Sequence, residues 1–385
     1  MDGLPNKASR LVTWCRNQRA GRKAALVPAV TLICVVSLYA ILDTFSWQPT
    51  VKRGRERLEM RVSSTTLQHE DVPSVPARGP AVPLSKCVQY PDRQWQGYPL
   101  PVMTSKPLGR LGNVMGEYAS LWALRRIYNV TALVMPSMRA RLRFFPSLSL
   151  PDLPGTYLRS EWHGVGKTGG MFRYNYTRIE LAAAGLLGPH LFTLTYYPFE
   201  IHLFNLFKKE LRREFTFAKG MQKKVTEFLS SVQQKWQSVN NSTTPPALVG
   251  FHIRRTDYLK YVMRNFGAKL PEDKYFTRAL GHYRRRFSNN VAFVVASDDM
   301  AFARQRLAHH RDVFFSKGGA AADDMALLSS CNHSIITLGS FGFWTGYLAG
   351  GEVVYPDVKL QRRYRFSRAM FESANLTNFI PLSAE

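Results

Sequence analysis

Short apolar segments alternate with amphipathic segments over the whole stretch from residue 247 to residue 356. The apolar segments have the length and the β-branched and aromatic content of strands, and the segments between them repeat apolar residues at helical spacing. The predicted strands are 247–253, 291–297, 313–316, 334–339 and 352–356, and the predicted helices are 271–287, 299–310, 323–331 and 342–350. Strands that alternate with helices in this way form a parallel sheet covered on both faces, so the predicted fold class is α/β.

The segment before this stretch gives a less regular pattern. Gly109–Asn129 predicts a glycine-rich turn that opens an amphipathic helix, and Thr131–Pro136 predicts a buried strand. Residues 140–235 are rich in aromatic and basic side chains, and helices are expected at 201–212 and 219–235.

An uncharged apolar run from Ala24 to Leu42 predicts a transmembrane helix. At about 1.5 Å per residue, this run just crosses a bilayer core of about 30 Å. Its N-terminal flank is strongly basic, so the tail at 1–23 is expected in the cytosol and the rest of the chain outside or in a lumen. We favour an uncleaved anchor over a signal peptide, because the run is long for a signal core and no clear cleavage site follows it.

The chain after the anchor divides into three predicted parts. Residues 43–86 contain recurring prolines among charged and small residues, which is typical of an extended stem that cannot build a core. The folded body is expected to comprise an N-terminal lobe at 87–245 and a C-terminal lobe at 246–385, separated by the linker-like sequence NNSTTPP.

The formal net charge of +25 suggests a polyanionic partner, such as nucleic acid, anionic lipid or a phosphorylated small molecule. A lumenal body would not meet nucleic acid, which removes that class. Cys87 and Cys331 are the two cysteines expected in the lumen, where they could form one disulfide or remain free, buried thiols. Glycosylation is predicted at the sequons of Asn129, Asn175, Asn240, Asn241 and Asn375, whereas the sequon at Asn332 lies in an apolar block and is expected to be buried.

The strongest chemical signal is the pair Arg254 and Arg255 just after the first strand of the C-terminal lobe. Ligands of a parallel sheet bind beyond the carboxyl ends of its strands. The rigid donor fork of arginine matches phosphate oxygens, so we expect Arg254 to hold a diphosphate. Arg255 points the other way in an extended chain and could pair with Asp257 or anchor the sheet. A surface arginine pair without a ligand is the alternative.

Four further segments carry polar groups at the same edge. Ser297–Asp299 stands at the end of the second strand, and Asp323–Asp324 begins the helix predicted at 323–331. Both segments fit nucleotide contacts or plain helix caps. Leu338–Trp344 places Ser340 at a helix start, where backbone amides bind phosphate. Gly109–Asn113 is a glycine turn and a weaker signal.

No Asp-x-Asp precedes a strand, no Cys/His cluster exists, and neither a phosphate-binding P-loop nor a nucleophile elbow occurs. We therefore predict no cofactor and no metal requirement, and expect arginine and backbone amides to stabilise a diphosphate leaving group.

Four blocks of this sequence resemble the α1,2-fucosyltransferases of glycosyltransferase family 11. They are GRLGNVMGEYASLWAL, VGFHIRRTDYL, FVVASDDM and DMALLSSCNHSIITLGSFGFWTGYLAGGEVVY, in that order between residues 105 and 357. The resemblance implies a GT-B-like fold of two Rossmann-type lobes facing across a cleft, with the acceptor held mainly by the first lobe and the donor by the second. It also implies metal-independent, inverting transfer of L-fucose from GDP-β-L-fucose to a glycan on a glycoprotein or glycolipid.

The resemblance further assigns roles by motif. Arg254 would hold the β-phosphate, with Arg255 beside it. His252 would lie near the nucleotide, Asp298 near the ribose and Asp324 at guanine. Ser340 and Phe341 would contact the phosphates, and Gly109 and Asn113 would approach the donor from across the cleft. Asp257 and Glu117 are the candidates for a general base. Thr256 stands where the α1,2 enzymes usually have glycine, and the α1,6-fucosyltransferases resemble this chain there, so an α1,6-like linkage stays open.

The expected location is the Golgi membrane, with a single-pass anchor and a lumenal body. Two other functions stay open from the sequence. A lumenal sulfotransferase would also need basic phosphate contacts, and an inactive glycan-binding protein would share the fold.

Overall fold

A computed structural model of the chain describes residues 88–167 and 175–384. The predicted tail, anchor and stem, together with Cys87, lie outside these residues. Among the residues described, no helix combines the length and the apolar character needed to cross a bilayer.

The first part of the described chain contains six strands and six helices. They are β1 (Tyr90–Trp95), β2 (Tyr98–Leu100), β3 (Val102–Ser105), α1 (Leu111–Tyr128), β4 (Thr131–Ala132), α2 (Pro136–Arg141), β5 (Trp162–Val165), α3 (Tyr176–Ala183), β6 (Leu191–Leu194), α4 (Ile201–Phe204), α5 (Lys208–Glu214) and α6 (Lys219–Asn240). Short 3-10 turns at Arg159–Glu161 and Asn205–Phe207 connect some of them. Strands β3 to β6 form a parallel sheet in the order β4-β3-β6-β5, and β1 and β2 form a separate antiparallel pair.

The second part is built on a larger parallel sheet. Its elements are β7 (Ala247–Ile253), α7 (Tyr258–Phe266), α8 (Asp273–Arg286), β8 (Val291–Ser297), α9 (Met300–Leu307), β9 (Val313–Phe315), α10 (Ala321–Ser329), β10 (His333–Ile336), α11 (Ser340–Ala349), β11 (Val353–Asp357), α12 (Arg368–Ser373) and β12 (Phe379–Ser383). The six strands are all parallel, in the order β12-β11-β10-β7-β8-β9. The five strands and four helices predicted here are confirmed within a few residues, and so is the α/β class.

Two predictions in the first part need correction. The strand expected at Thr131–Pro136 pairs with the sheet only through Thr131 and Ala132, and Val134 leaves it for an isolated bridge with Asp152. Pro136 begins α2, where its fixed φ and missing N–H suit a helix start. The helix expected at 201–212 is broken into α4, a 3-10 turn and α5.

Helix α1 brings the two sheets together. It is buried on most of its circumference, so the predicted amphipathic pattern underestimates its burial: both parts of the described chain cover it, and only its ends keep exposed polar residues such as Arg125 and Arg126. It packs against β3 and β4 on one side and against α11 of the larger sheet on the other. The indole of Trp344 on α11 donates a hydrogen bond to the carbonyl of Gly112 on α1, at 2.8 Å.

An aromatic cluster fills the space behind this contact. Trp344 is fully buried, and its ring lies 5.4 Å from that of Phe204 and 5.0 Å from that of Phe215. Burial of one such side chain stabilises the fold by about 1.5–3 kcal/mol. These residues come from both parts of the described chain, so the core is continuous between the two sheets.

The predicted glycosylation sites lie on the surface. Asn129, Asn175, Asn240, Asn241 and Asn375 are all exposed. Asn332 is exposed as well, so the expectation that it is buried is wrong, although its amide oxygen accepts a hydrogen bond from the backbone of Leu248. Cys331 is buried, and its thiol donates to the carbonyl of Leu327.

Candidate active site

The predicted arginines lie in a turn that two strands hold in place. Strand β7 ends at Ile253, and the next backbone amide, that of Arg254, donates to the hydroxyl of Thr337 just beyond β10, at 2.8 Å. The amide of Thr337 in turn donates to the carbonyl of His252 at 3.2 Å. Because β7 and β10 are parallel neighbours, their carboxyl ends meet here, as the sequence predicts.

Two carboxylates hold the guanidinium of Arg254. Its Nη1 donates to Asp298 and its Nη2 donates to Asp257, and its side chain is 13% exposed. The guanidinium carbon lies 5.2 Å from the ring centre of Tyr258, which covers one face. Asp257 is half-exposed and also pairs with Arg110 of the glycine turn, at 3.3 Å. The carboxylate of Asp257 therefore bridges arginines from the two parts of the chain.

Asp298 closes the turn from the neighbouring strand. It accepts a hydrogen bond from the backbone amide of Arg255 at 2.8 Å and another from the hydroxyl of Thr256. Thr256, the residue that departs from the motif described above, therefore donates a hydrogen bond to the same carboxylate that binds Arg254. These contacts occupy Asp298 within the turn.

Arg255 points to the opposite face, as expected for neighbouring residues of an extended chain. Its Nη1 donates to Glu272 at 3.2 Å, its Nε lies 3.5 Å from Asp299, and its guanidinium lies 3.7 Å from the ring centre of Phe302. Of the two roles left open for Arg255, pairing with Asp257 does not occur, because the partners of its guanidinium are Glu272 and Asp299. The cap interpretation of Asp299 is confirmed: its side chain accepts from the amide of Phe302 at 3.0 Å, at the start of α9.

His252 is buried beneath the arginine turn. Burial, with a smaller contribution from the charge of Arg254, lowers the pKa of His252 to about 3, so the imidazole is neutral at physiological pH. The ring lies 4.6 Å from that of Phe341, and Nδ1 has no hydrogen-bond partner among the described residues. His252 therefore supplies shape and a neutral polar atom rather than a positive charge.

The start of α11 touches the glycine turn directly. The hydroxyl of Ser340 donates to the amide oxygen of Asn113 at 2.8 Å. A Cβ atom on Gly112 would lie 2.9 Å from the backbone nitrogen of Phe341, so a side chain at this position would separate the two segments. Gly109 has a φ of +75°, a conformation that glycine adopts without strain. The structure thus brings together Ser340, Phe341, Asn113 and Gly109.

The two aspartates of α10 make separate contacts. Asp323 accepts from the amide of Ala320 at 3.2 Å, which is a local capping contact. Asp324 accepts from the hydroxyl of Ser316 at 2.8 Å, and burial raises its pKa, with the Ser316 hydrogen bond opposing the shift. Both lie within the first turn of α10, because this helix begins at Ala321, two residues before the predicted start.

A cavity of about 280 Å³ lies between the glycine turn and the start of α10. Three of its lining side chains, Arg110, Arg141 and Arg143, are basic. Gly109 is the one lining residue that the sequence predicts for the site. The residues that line the cavity are Gly109, Arg110, Leu111, Arg141, Arg143, Phe144, Ala320, Ala321 and Ala322. A second cavity, of about 520 Å³, lies elsewhere near Lys209, Arg212 and Arg213 and contains none of the predicted residues.

Glu117 is fully buried behind the glycine turn. Both of its carboxylate oxygens accept from the amide of Leu108, at 3.1 and 3.2 Å. Burial raises the pKa of Glu117 to about 8, and the Leu108 hydrogen bond and the charges of Arg141 and Arg365 oppose the shift. Since the carboxyl is sealed from solvent, its geometry fits support of the turn better than proton transfer to a substrate.

The described residues contain no cluster of three or more His, Cys, Asp or Glu side chains arranged to hold a metal ion. The sequence did not point to four arginines in this region: Arg110, Arg141 and Arg143 of the cavity wall and Arg365, whose charge acts on Glu117. Arg110 stands inside the GRLGN motif, whereas no motif marks the other three.

Comparisons with known proteins identify the family. Residues 87–380 match the model of glycosyl transferase family 11. The galactoside 2-alpha-L-fucosyltransferase Sec1 of Mus musculus is 35% identical over 260 residues, which are 66% of this chain and 66% of the relative. The galactoside alpha-(1,2)-fucosyltransferase 1 of Oryctolagus cuniculus is 30% identical over 338 residues, which are 85% of this chain and 84% of the relative. Among solved structures, NodZ alpha-1,6-fucosyltransferase soaked with GDP-fucose matches with a TM-score of 0.42 and 12% identity, over 68% of this chain and 99% of that chain.

Proposed function

Because the chain belongs to glycosyltransferase family 11 and is a glycosyltransferase, we propose that it transfers L-fucose from GDP-β-L-fucose to the 2-hydroxyl of a terminal galactose. The names of its relatives, which are galactoside 2-α-L-fucosyltransferases, support both the sugar and the acceptor. The single observation that carries the proposal is the meeting of Arg254 and Arg110 at one carboxylate, where the two sheets face each other.

The two parallel sheets fit a GT-B-like arrangement, and the donor would lie between them. Arg254 and the backbone amides at the start of α11 would hold the diphosphate, since the first turn of a helix leaves amides without intrahelical acceptors. The basic cavity beside the start of α10 would take the nucleoside. Asp324 follows the three alanines that line this cavity, and the resemblance to the family would bring it to guanine. Asp298 and His252 would support the nucleotide, and Asn113 would approach it from the glycine turn.

The reaction is proposed as a single displacement at the anomeric carbon of fucose. The acceptor oxygen forms the new bond as the bond to the β-phosphate oxygen breaks, which inverts the configuration. Positive charge develops on the sugar ring and negative charge on the departing GDP. Preorganised arginine and amide donors stabilise that negative charge, so the chemistry needs no metal ion.

Asp257 contacts both of the arginines that would bind the diphosphate. Its two oxygens contact the guanidinium groups of Arg254 and Arg110, much as two phosphate oxygens would. Asp257 is also the more exposed of the two carboxylates on Arg254, with a side chain 52% exposed against 23% for Asp298. We propose that the donor displaces Asp257, and that the released carboxylate then accepts the proton of the acceptor hydroxyl.

Asp257→Asn separates these two roles. GDP is expected to bind several-fold more tightly, because a neutral amide competes less well for the two arginines. The kcat for transfer is expected to fall by at least about tenfold, because an amide cannot accept the proton. Calorimetry with GDP and initial-rate kinetics measure the two effects.

Asp273→Asn is the matched control, since Asp273 is a similarly exposed aspartate that pairs with Arg306 at 2.8 Å away from the site. Weaker GDP binding by Asp257→Asn would indicate that this carboxylate orients Arg254 and is not displaced. An unchanged kcat would contradict its role as a base.

We propose the Golgi membrane as the location of the protein. A helix at 24–42 preceded by a basic tail would anchor the chain in the Golgi membrane and leave residues 88–384 in the lumen, where the exposed sequons would carry N-glycans. The acceptor would then be a glycan on a glycoprotein or glycolipid in that lumen.

The proposed activity is tested with the detergent-solubilised full-length chain, GDP-fucose and a β-galactoside. We expect one fucose per galactose, linked to O2 with the α configuration, and no product from the 2-deoxygalactoside. Linkage mapping by permethylation and mass spectrometry identifies the product. Fucose on another hydroxyl of galactose would contradict the proposed 1,2 linkage. If adenosine bisphosphate raises the melting temperature of the protein and GDP does not, the result would favour a sulfotransferase.

A further inference from the structure

Two consecutive tyrosines after β6 have an unusual backbone conformation. Tyr196 and Tyr197 have φ values of +68° and +52°, in the left-handed region. A bulky residue in this region costs about 1–3 kcal/mol and persists where the surroundings enforce it. Here Arg365 enforces it, since its Nη1 donates to the carbonyl of Tyr197 at 2.5 Å. The strained pair lies at the carboxyl end of a central strand of the smaller sheet, the edge at which ligands of parallel sheets bind.

Tyr197 also contacts the glycine turn. A Cβ atom on Gly109 would lie 2.9 Å from Cε1 of the Tyr197 ring, so the ring lies directly on that glycine. Gly109 in turn lines the basic cavity, and its carbonyl accepts from Arg141 at 3.0 Å. The strained tyrosines therefore border the proposed donor site.

Helix α7 supplies two further tyrosines on the same side. The rings of Tyr258 and Tyr261 lie 5.1 Å apart, and Tyr258 covers the guanidinium of Arg254. Tyr261 is 38% exposed. Burial raises the pKa of the Tyr261 phenol to about 12, with the charge of Arg365 opposing the shift.

The ring of Tyr196 lies 6.0 Å from that of Tyr197. Tyr197 lies on Gly109, and the next residue, Arg110, pairs with Asp257 directly before Tyr258, so the two pairs of tyrosines border the same contact between the two parts of the chain.

We infer that Tyr196, Tyr197 and Tyr261 form the acceptor subsite, in which an aromatic face stacks on a hexose and the phenol hydroxyls bind its hydroxyl groups. This inference rests on the proposed function and names the part of the site that recognises the acceptor. Phenol rings suit this role because they combine a large apolar face with a polar tip. Galactose suits these rings, since its axial 4-hydroxyl leaves the opposite face of the sugar with a continuous patch of C–H groups.

The position of the cluster fits transfer geometry. Tyr258 links it to Arg254, so an acceptor held by Tyr261 and Tyr197 would lie beside the proposed diphosphate site. The hydroxyl of Tyr258 also lies close to Gly339, at the start of α11, where a Cβ atom would be 3.1 Å from it. The cluster thus reaches from the strained tyrosines to the proposed phosphate site, and it combines residues from both parts of the chain.

Two substitutions test the subsite without disturbing the donor site. Tyr196→Gly removes a ring and also relieves the left-handed strain, so the variant is expected to fold at least as well as the wild type. Tyr261→Ala removes a partly exposed ring. Each is expected to raise the KM for the galactoside by at least about tenfold, the size of effect of one lost stacking contact. The KM for GDP-fucose and the thermal protection by GDP are expected to stay unchanged.

Ser288→Gly is the matched control, because Ser288 is another left-handed residue, with φ +49°, at the turn after α8. It is expected to leave every kinetic parameter unchanged. An unchanged acceptor KM in both tyrosine variants, alongside normal transfer by the wild type, would overturn the subsite alone. A wild-type chain that binds GDP but transfers nothing to galactose would overturn the proposed function as well.

Discussion

Arg254→Ala is expected to lower kcat/KM for fucose transfer by at least about 10²-fold, the loss typical of removing one preorganised donor from a developing anion. Arg254 lies at the carboxyl end of β7, and its neighbour Arg255 cannot replace it because that side chain points away to Glu272 and Phe302. Arg110 reaches the same Asp257 carboxylate from the glycine turn, but it is not bound to Asp298 as Arg254 is. Without Arg254 the carboxylates of Asp257 and Asp298 would repel the diphosphate. Initial rates over a range of GDP-fucose concentrations, with binding of GDP by calorimetry, measure the effect.

Arg284→Ala is the matched control for this prediction. Arg284 makes two hydrogen bonds of 2.7 Å to Asp312, which is about as buried as Asp298, and the Arg284 side chain is 27% exposed against 13% for Arg254. Asp312 precedes β9, so this ion pair lies at the opposite edge of the sheet. The control should lose similar thermal stability and keep its activity. Near-normal transfer by folded Arg254→Ala would remove this arginine from the mechanism.

Gly112→Ala is expected to reduce transfer by at least tenfold and to lower stability by about 1–3 kcal/mol, the usual range for overpacking a close contact. The added Cβ would lie 2.9 Å from backbone atoms of Ser340 and Phe341, and backbone atoms cannot swing aside as the end of a side chain can. The start of α11 would move away from the glycine turn. The Ser340–Asn113 hydrogen bond and the Trp344–Gly112 hydrogen bond would both lengthen.

Gly220→Ala provides the comparison. Gly220 lies in the first turn of α6, and a Cβ atom there would meet nothing within 4 Å. Alanine at this position should be neutral or slightly stabilising, because alanine favours the helix by up to about 1 kcal/mol. Thermal melting and transfer rates, measured for Gly112→Ala and Gly220→Ala, test whether the close contact at Gly112 is required. Equal behaviour of Gly112→Ala and Gly220→Ala would mean that the contact between α1 and α11 does not position the site.

The larger sheet could be predicted from the sequence because its signals are local. Each strand from β7 to β11 is an apolar run bounded by polar residues, and each intervening helix has its own periodicity. Helix α7 was missed because it directly follows the arginine turn, where Arg254 to Asp257 suggest a loop. Strand β12 was missed because its sequence, FIPLS, is short and contains proline.

The smaller sheet was harder to predict because its strands are short and lack flanking patterns. Strands β5 and β6 have four residues each, and WHGV contains a glycine and a histidine that do not suggest a strand. Their pairing side by side, rather than their composition, makes them a sheet. Residues 140–235 therefore gave helix predictions but no strands.

The type of residue at the site could be predicted, but the contacts could not. Two arginines after β7 follow from the motif, because strand ends in parallel sheets carry ligand contacts. The pairing of Arg254 with both Asp257 and Asp298 depends on the turn geometry and on β8. The Ser340–Asn113 hydrogen bond joins residues 227 positions apart, and no local pattern predicts such a contact.

The central claim is that the guanidinium of Arg254 binds the diphosphate of GDP where the glycine turn meets α11. A crystal structure of the chain with GDP tests it most directly. We predict β-phosphate oxygens within hydrogen-bonding distance of Arg254, the side chain of Asp257 turned away from that arginine, and the nucleoside in the cavity beside α10. A nucleotide bound instead near Lys209, Arg212 and Arg213, with Arg254 still held by both carboxylates, would contradict the account.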